Sequence, residues 1–437
     1  MEFRTDKAQP SAPAVESQGT DPKLVPSLAP EVTMAFHKIG ADSRVKDALD
    51  FIDEDSQKTL QEQIHLTEIP APPFHEQLRG EHYRQLLQEH GLDEVLTDAE
   101  GNVYGTVRGA GNGPTVFISA HLDTVFPEGT DTKVKENNGR YFAPGISDDG
   151  RGLAVVLAVL RALKQSGIRT VGNVIFGATV GEEGLGDLRG VKAFFKHNTD
   201  VDGFISIEPG DPTRTTYLAT GSRRYQVTFR GPGGHSFGAF GIPSAIHALG
   251  RAVAAIADIE VPASPKTTFT VGEIRGGTSV NTIAAEASMM IDMRSNSMEE
   301  LAKLEEQVLP CIHEALQREN ERWGSHALTV DIQLVGDRPA GEQPQDAAIV
   351  QAALGATLTM GFNPGLDEAM STDSNVPISL GIPAVTLGGG GSPAGMHTLS
   401  ESFDPVNAHY GVQRTFLTLL GLVGVDGLTE PLLNRHE

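Results

Sequence analysis

Four short apolar runs, each closed by a polar or glycine-rich turn, constrain this chain more than any other feature. They are TVFISAHL (Thr115 to Leu122), NVIFGATV (Asn173 to Val180), GFISIEP (Gly203 to Pro209) and AVTLGGG (Ala384 to Gly390). Continuous apolar runs of this length read as strands buried on both faces, the environment of a parallel sheet covered by helices. Between the first two lies GLAVVLAVLRALKQ, apolar around most of its circumference and stopped by Ser166 and Gly167, which predicts an interior helix. FHEQLRGEHYRQLLQEHGL, from Phe74, adds a polar-faced helix ending at Gly91. The alternation predicts an α/β fold built on a doubly wound, mostly parallel sheet. GAGNGP near Gly109 partly matches a dinucleotide fingerprint, but between two short strands it reads as a hairpin loop.

From about Ser222 to Gly336 the pattern changes. Strand RYQVTFRG, helix IPSAIHALGRAVAAIADI, strands TTFTVGEI and EASMMIDMRS, helix MEELAKLEEQVLPCIHEALQREN and strand ALTVDIQLVG succeed one another. This β-α-β-β-α-β order is ferredoxin-like. Ala287, Met289, Ile291 and Met293 alternate along one strand, so one face of that sheet packs on the two helices. A chain of 437 residues also exceeds what a single core holds. The expected organisation is a flexible leader over 1–30, the first part of the parent domain over 31–221, an inserted domain over 222–337 and the rest of the parent over 338–437. The leader is rich in Pro, Ser, Ala and charge; a removable targeting segment has the same character.

Composition excludes several classes of function. Lys and Arg number 34 against 57 Asp and Glu, a net charge of −23, which argues against nucleic acid or an anionic membrane as the main partner, since both need a concentrated basic surface. No run approaches the ~20 apolar residues of a membrane span, and the N-terminus lacks the apolar stretch of a secretory signal, so a cytoplasmic protein is expected. Cys311 stands alone, which rules out an intrachain disulfide and any thiolate-based zinc site. A metal in this chain would be held by His, Asp and Glu.

Those residue types gather at the strand ends. His121 and Asp123 sit two apart where TVFISAH ends, so period-two geometry puts them on one face. Asp148 and Asp149 lie between glycines just before the apolar helix, where carboxylates also serve as helix caps. Glu182 and Glu183 come directly after the second strand; two such charges repel unless a cation lies between them or one holds a proton. Glu208 closes the third strand and His397 comes after the fourth. Open α/β sheets place their ligands at the carboxyl ends of strands. Two histidines with several carboxylates suit a pair of Zn²⁺ or similar divalent ions bridged by a carboxylate and a water. His313-Glu314 lacks the second histidine of a zincin helix.

SAHLDTV, GISDDGRG, VGEEGLG, SIEPG and GMHTLSE, in this order around a β-α-β-β-α-β insertion, resemble the M20 metallopeptidase family of aminoacylases, carboxypeptidases and tripeptidases. The resemblance spans roughly residues 55 to 430. It implies two divalent metal ions: His121 and Glu208 on the first, Glu183 and His397 on the second, Asp148 bridging them, and Asp123 as the partner of His121. It implies Glu182 as the general base, which fits the physics of an acidic pair in which one member is neutralised by coordination and the other keeps a free oxygen. In the insertion, the resemblance makes His235 of GPGGHSFG the residue that stabilises the substrate oxyanion, supplied by the partner subunit of a dimer formed through a lid. Asn281 and Arg294 match positions that grip the substrate carboxylate, a task suited to the planar fork of arginine. Thr372, Asp373 and Ser374 fall where related enzymes line the substrate pocket, with Ser374 taken as substrate-binding; a simple turn is the other reading.

The implied activity is hydrolysis of an amide bond next to a free carboxylate, with short peptides and N-acyl amino acids both open as substrates. Zn²⁺ suits the donors, as do Mn²⁺ and Co²⁺. Two other readings stand beside it. Gly234-His235-Ser236-Phe237-Gly238 matches the nucleophile elbow of a serine hydrolase, with Asp373 and His397 coming later in the right order. The fold could also serve a non-catalytic, metal-binding dimeric protein.

Overall fold

The computed structural model describes residues 27–435. Residues 1–26 of the expected leader lie outside the described residues, and Pro30 already opens a helix, Pro30–Ala41. At the centre of the molecule Asn173–Thr179, Thr115–His121, Gly203–Glu208 and Ala384–Gly388 lie side by side in that order, all parallel. These are the four apolar runs. Val103–Val107 and Val95–Thr97 extend one edge antiparallel, and Arg214–Thr216 and Gly365–Leu366 complete eight strands at the other.

The runs are continuous in sequence because the sheet is covered on both faces. Val116, Ile118, Ile205 and Ile207 point into the larger core, with the helices Gly150–Ser166, Ala348–Thr359 and His409–Val423. Phe117 and Phe204 point the other way, where Phe117 stacks on Phe194 of the helix Arg189–His197 with ring centroids 4.1 Å apart. The interior helix is buried from Gly150 to Leu163 and ends at Gly167, whose φ of 64° reverses the chain. Two further helices, Ser43–Glu54 and Ser56–Thr67, pack on it, while Pro30–Ala41 packs on Ala348–Thr359 and His409–Val423.

The glycine-rich segment at 109–113 is not a hairpin. Val103–Val107 and Thr115–His121 are separated by Asn173–Thr179, and the segment crosses over that strand's start. Ala110 and Gly111 donate to the carbonyls of Thr170 and Val171 at 2.7 and 3.0 Å. A Cβ at Gly109 would lie 2.3 Å from the Gly172 carbonyl oxygen, so glycine here serves a close backbone crossing.

The second sheet has the order Thr267–Gly276, Glu286–Ser295, Gly221–Arg230, Thr329–Arg338, every pair antiparallel, which is the ferredoxin-like arrangement. The helices Ala245–Ala257 and Met298–Arg322 cover one face of it, over a core that includes Val227, Phe229, Met289, Ile291 and Met293. Among the described residues no helix is long and apolar enough to cross a membrane.

Leu157 is fully enclosed in the interior helix. Leu157→Ala is expected to lower unfolding free energy by about 2–5 kcal/mol, read as a shift of the urea midpoint. A shift within error would show that this helix is not part of the cooperative core.

Candidate metal centre

The carboxyl ends of the four parallel strands converge on one cluster. His121 is the last residue of its strand, and its Nε2 lies 3.0 Å from Asp148 Oδ1 and 3.8 Å from Glu208 Oε2. His397 Nε2 lies 3.1 Å from the other oxygen of Asp148 and 3.1 Å from Glu183 Oε1. Asp148 therefore stands between two imidazoles, one oxygen toward each. His397 is held at φ 62°, a conformation that non-glycine residues adopt rarely and mostly at functional sites.

Backbone amides hold the carboxylates around this pair. Asp123 accepts from the amides of Glu182 and Glu183 at 3.0 and 2.8 Å, which ties the turn carrying both glutamates to the neighbouring strand end. Its carboxylate lies 3.7 Å from His121 Nδ1, whereas its own carbonyl lies 2.9 Å away and is the nearer acceptor. Asp149 accepts from His121 N and Gly152 N and caps the interior helix, so of two adjacent acids one caps and one faces the cluster. Glu401, fully buried, accepts from the amides of Gly145, Ser147 and Asp148 at 2.8–3.0 Å and so fixes the loop that presents Asp148.

Glu182 is buried and pairs through Oε1 with Arg338 Nη1 at 3.1 Å; Arg338 also donates to the Glu182 carbonyl and to Ser371 Oγ. Burial raises the pKa of Glu182 while Arg338 pulls against it, and the net direction is up. Glu208 and Asp149 are pushed well up by burial. Asp148 goes the other way: burial opposes its charge, but hydrogen bonds from His121 and His397 prevail. Hydrogen bonds to Asp148 and Glu183 raise His397 to about 10.

A cavity of about 430 Å³ opens onto the cluster, lined by Asp148, Glu182, Glu183, Glu208 and His397 together with Arg224, Arg294 and Arg338. Arg224 and Arg294 share Asp292, at 2.8 and 2.7 Å. Ser374 lies beneath the cavity, its hydroxyl 2.8 Å from Thr386 Oγ1, while Ser371 and Thr372 line it. Asp373 is buried and accepts from Thr179. His235 is exposed on the short pair Gly234–His235 with Thr282–Ile283, its Nδ1 accepting from the Phe237 and Gly238 amides, and neither it nor Asn281 lines this cavity. The serine triad is not assembled: among the described residues no hydrogen bond links Ser236, Asp373 and His397, Asp373 accepting from Thr179 and His397 lying against Asp148 and Glu183.

The donors fit divalent cations. His121, Asp148 and Glu183 bring one ligand atom each within 4.8 Å of one another, as do His121, Asp149 and Glu208. Asp149 already spends both oxygens on amides, which leaves Asp148 as the available carboxylate. Arg338 and Glu401 carry no local signal in the sequence; their partners lie 156 and 253–256 residues away, beyond any short-range pattern.

The family model for peptidase family M20/M25/M40 matches residues 117–420. The uncharacterised protein YqjE of Bacillus subtilis is 24% identical over 361 residues, 79% of this chain and 92% of that protein. Among solved structures, a tripeptidase from Staphylococcus aureus superposes with a TM-score of 0.68 at 21% identity, covering 83% of this chain and 97% of its own. The YxeP protein of Bacillus subtilis, described as a dinuclear metal binding peptidase, superposes with a TM-score of 0.59 at 15% identity, over 85% and 99%.

Because His397 is raised to about 10, it carries a proton at neutral pH when no cation competes for it. A metal ion can bind only the deprotonated ring, so loading chelator-stripped protein at neutral pH is expected to release protons. Calorimetric titrations in buffers of differing ionisation enthalpy measure this release, which should fall as pH rises through about 10. Release that is independent of pH would remove His397 from the ligand set.

Proposed function

The chain belongs to peptidase family M20/M25/M40, and on that premise we propose that it is a two-metal hydrolase of amide bonds adjacent to a free carboxylate, in short peptides or N-acyl amino acids. The observation that carries this reading is Asp148, with one oxygen toward His121 and the other toward His397 and Glu182 lining the same cavity. In this reading His121 and Glu208 hold one ion, Glu183 and His397 the other, and Asp148 bridges. Zn²⁺ suits the donors, and Mn²⁺ and Co²⁺ fit the same set. When bound, the ions would polarise the scissile carbonyl and lower the pKa of the attacking water toward about 7.

The chain's own residues supply the remaining parts. Glu182, with one oxygen on Arg338, accepts the water proton and passes it to the leaving amine. Arg294, which shares Asp292 with Arg224, receives the substrate carboxylate, supported by the three guanidinium groups that line the cavity. The second sheet with its helices, residues 221–338 and so one residue wider at each end than the sequence pattern suggests, acts as the lid over a catalytic part formed by the segments on either side. His235 and Asn281 stand outside their own cavity, which supports a homodimer in which His235 steadies the oxyanion of the partner's substrate. Phe237, Phe240 and Val280, exposed on the same end of the second sheet, suit such a contact.

Hydrolysis of a panel of dipeptides, tripeptides and N-acyl amino acids, before and after chelation and after Zn²⁺ is restored, tests the reading. Activity should vanish and return, and the preferred substrates assign the class; activity indifferent to chelation in protein free of metal by elemental analysis would overturn it. Glu182→Gln is expected to keep its metal and lose about 10²–10⁴-fold in kcat. Near-normal turnover would remove Glu182 as the base. Glu182 must be ionised to act, so kcat/KM falls as pH drops through its pKa. Arg338 opposes the rise caused by burial, so Arg338→Ala should move this acid limb to higher pH; an unmoved limb would belong to another group.

A further inference from the structure

Five arginines are buried among the described residues: Arg79, Arg151, Arg161, Arg338 and Arg414. Four of them have acids at hand. Arg161 pairs with Asp55 and Glu62, and Arg338 with Glu182; Arg79 feels Asp123 and Asp149, and Arg414 feels Asp211 and Asp367. Arg151 has none. Burial alone acts on it and pulls it down to about 9, so it remains a cation at neutral pH. A buried charge without a counter-charge is costly and is a mark of a binding site.

Its hydrogen bonds leave room for a ligand. Nε donates to the Gly389 carbonyl at 2.8 Å and Nη2 to the Ala408 carbonyl at 2.6 Å, while Nη1 has no partner among the described residues. The guanidinium lies 5.5 Å from the centroid of the Phe403 ring. Arg151 lines a cavity of about 400 Å³, a volume in the range of small-molecule sites. The walls are mostly apolar, with Leu60, Tyr141, Phe403 and Val412, and no Asp or Glu lines it, although the chain as a whole carries a net charge of −23. His409, the other basic lining group, pairs with Asp53 at 3.3 Å. No residue is shared with the lining of the cavity over the metal cluster.

The geometry points to a second ligand site, separate from the catalytic cavity, that takes a small carboxylate with an apolar body: the carboxylate on Arg151, the body against Leu60, Tyr141, Phe403 and Val412. The guanidinium recognises the anion, and the walls select against inorganic anions, which have no apolar part to bury.

Calorimetric titration of the full-length, metal-loaded protein with phenylacetate, phenylacetamide and inorganic phosphate tests this. Phenylacetate should bind at least about tenfold more tightly than either of the others, the margin expected of a charge-assisted hydrogen bond. Ser56 lies on the cavity wall, away from the catalytic cluster. Ser56→Phe should fill the cavity and abolish this binding while leaving peptide hydrolysis unchanged, and Arg151→Gln should weaken it about tenfold or more. Should Arg151→Gln fail to fold, Ser56→Phe carries the test. Phenylacetate binding that persists in Ser56→Phe belongs to the metal cluster and overturns the proposal, as would equal binding of acid and amide, phosphate binding as tightly as phenylacetate, or no binding at all.

Discussion

Carboxylates packed at one end of a sheet repel one another, and the architecture of this protein is organised around holding them there. Two like charges about 4 Å apart at an effective dielectric of about 20 repel by about 4 kcal/mol. Asp123, Asp148, Asp149, Glu182, Glu183, Glu208 and Glu401 all gather behind or beside His121 and His397. Most of the restraint comes from backbone amides rather than from cations. Asp123 takes two amides from the glutamate turn, Asp149 takes one from the strand end and one from the interior helix, and Glu401 takes three from the loop that presents Asp148. Each such carboxylate is fixed by the chain segments it fixes in return.

This restraint lets adjacent acids diverge. Asp148 is held low by two imidazoles while Asp149, one residue on, is pushed well up by burial. Glu183 faces His397 while Glu182 turns to Arg338. Pairs of acids pushed apart in this way can divide coordination from proton transfer between neighbours in sequence. A doubly wound sheet makes the division feasible, because its rigid strands deliver each pair to one edge in a fixed orientation.

Much of this is legible in the sequence because it rests on short-range pattern. The four parallel strands show as apolar runs, the interior helix by its stop at Gly167, the second sheet by the alternation at Ala287 to Met293, and the cluster by the histidines and acids that close each strand. Other features depend on partners far along the chain. Arg338 ends a strand and carries no motif of its own, its partner Glu182 lying 156 residues away; Glu401 acts on amides that no side-chain motif records. The crossing at Gly109 reads as a hairpin because strand order, unlike strand identity, is not written locally. Val45, Ala48 and Ile52 do carry helical spacing and are buried, but the proline-rich composition before them extends the expected leader to Pro30, where a helix begins.

Arg338 belongs to the second sheet and Glu182 to the first, and Arg224 of the second sheet also grasps the Gly184 carbonyl beside the glutamate turn. A carboxylate of the first sheet that lines the cavity over the cluster is thus held in place by a guanidinium of the second. Any change in the spacing of the two sheets would therefore either carry Glu182 along or break its pair with Arg338.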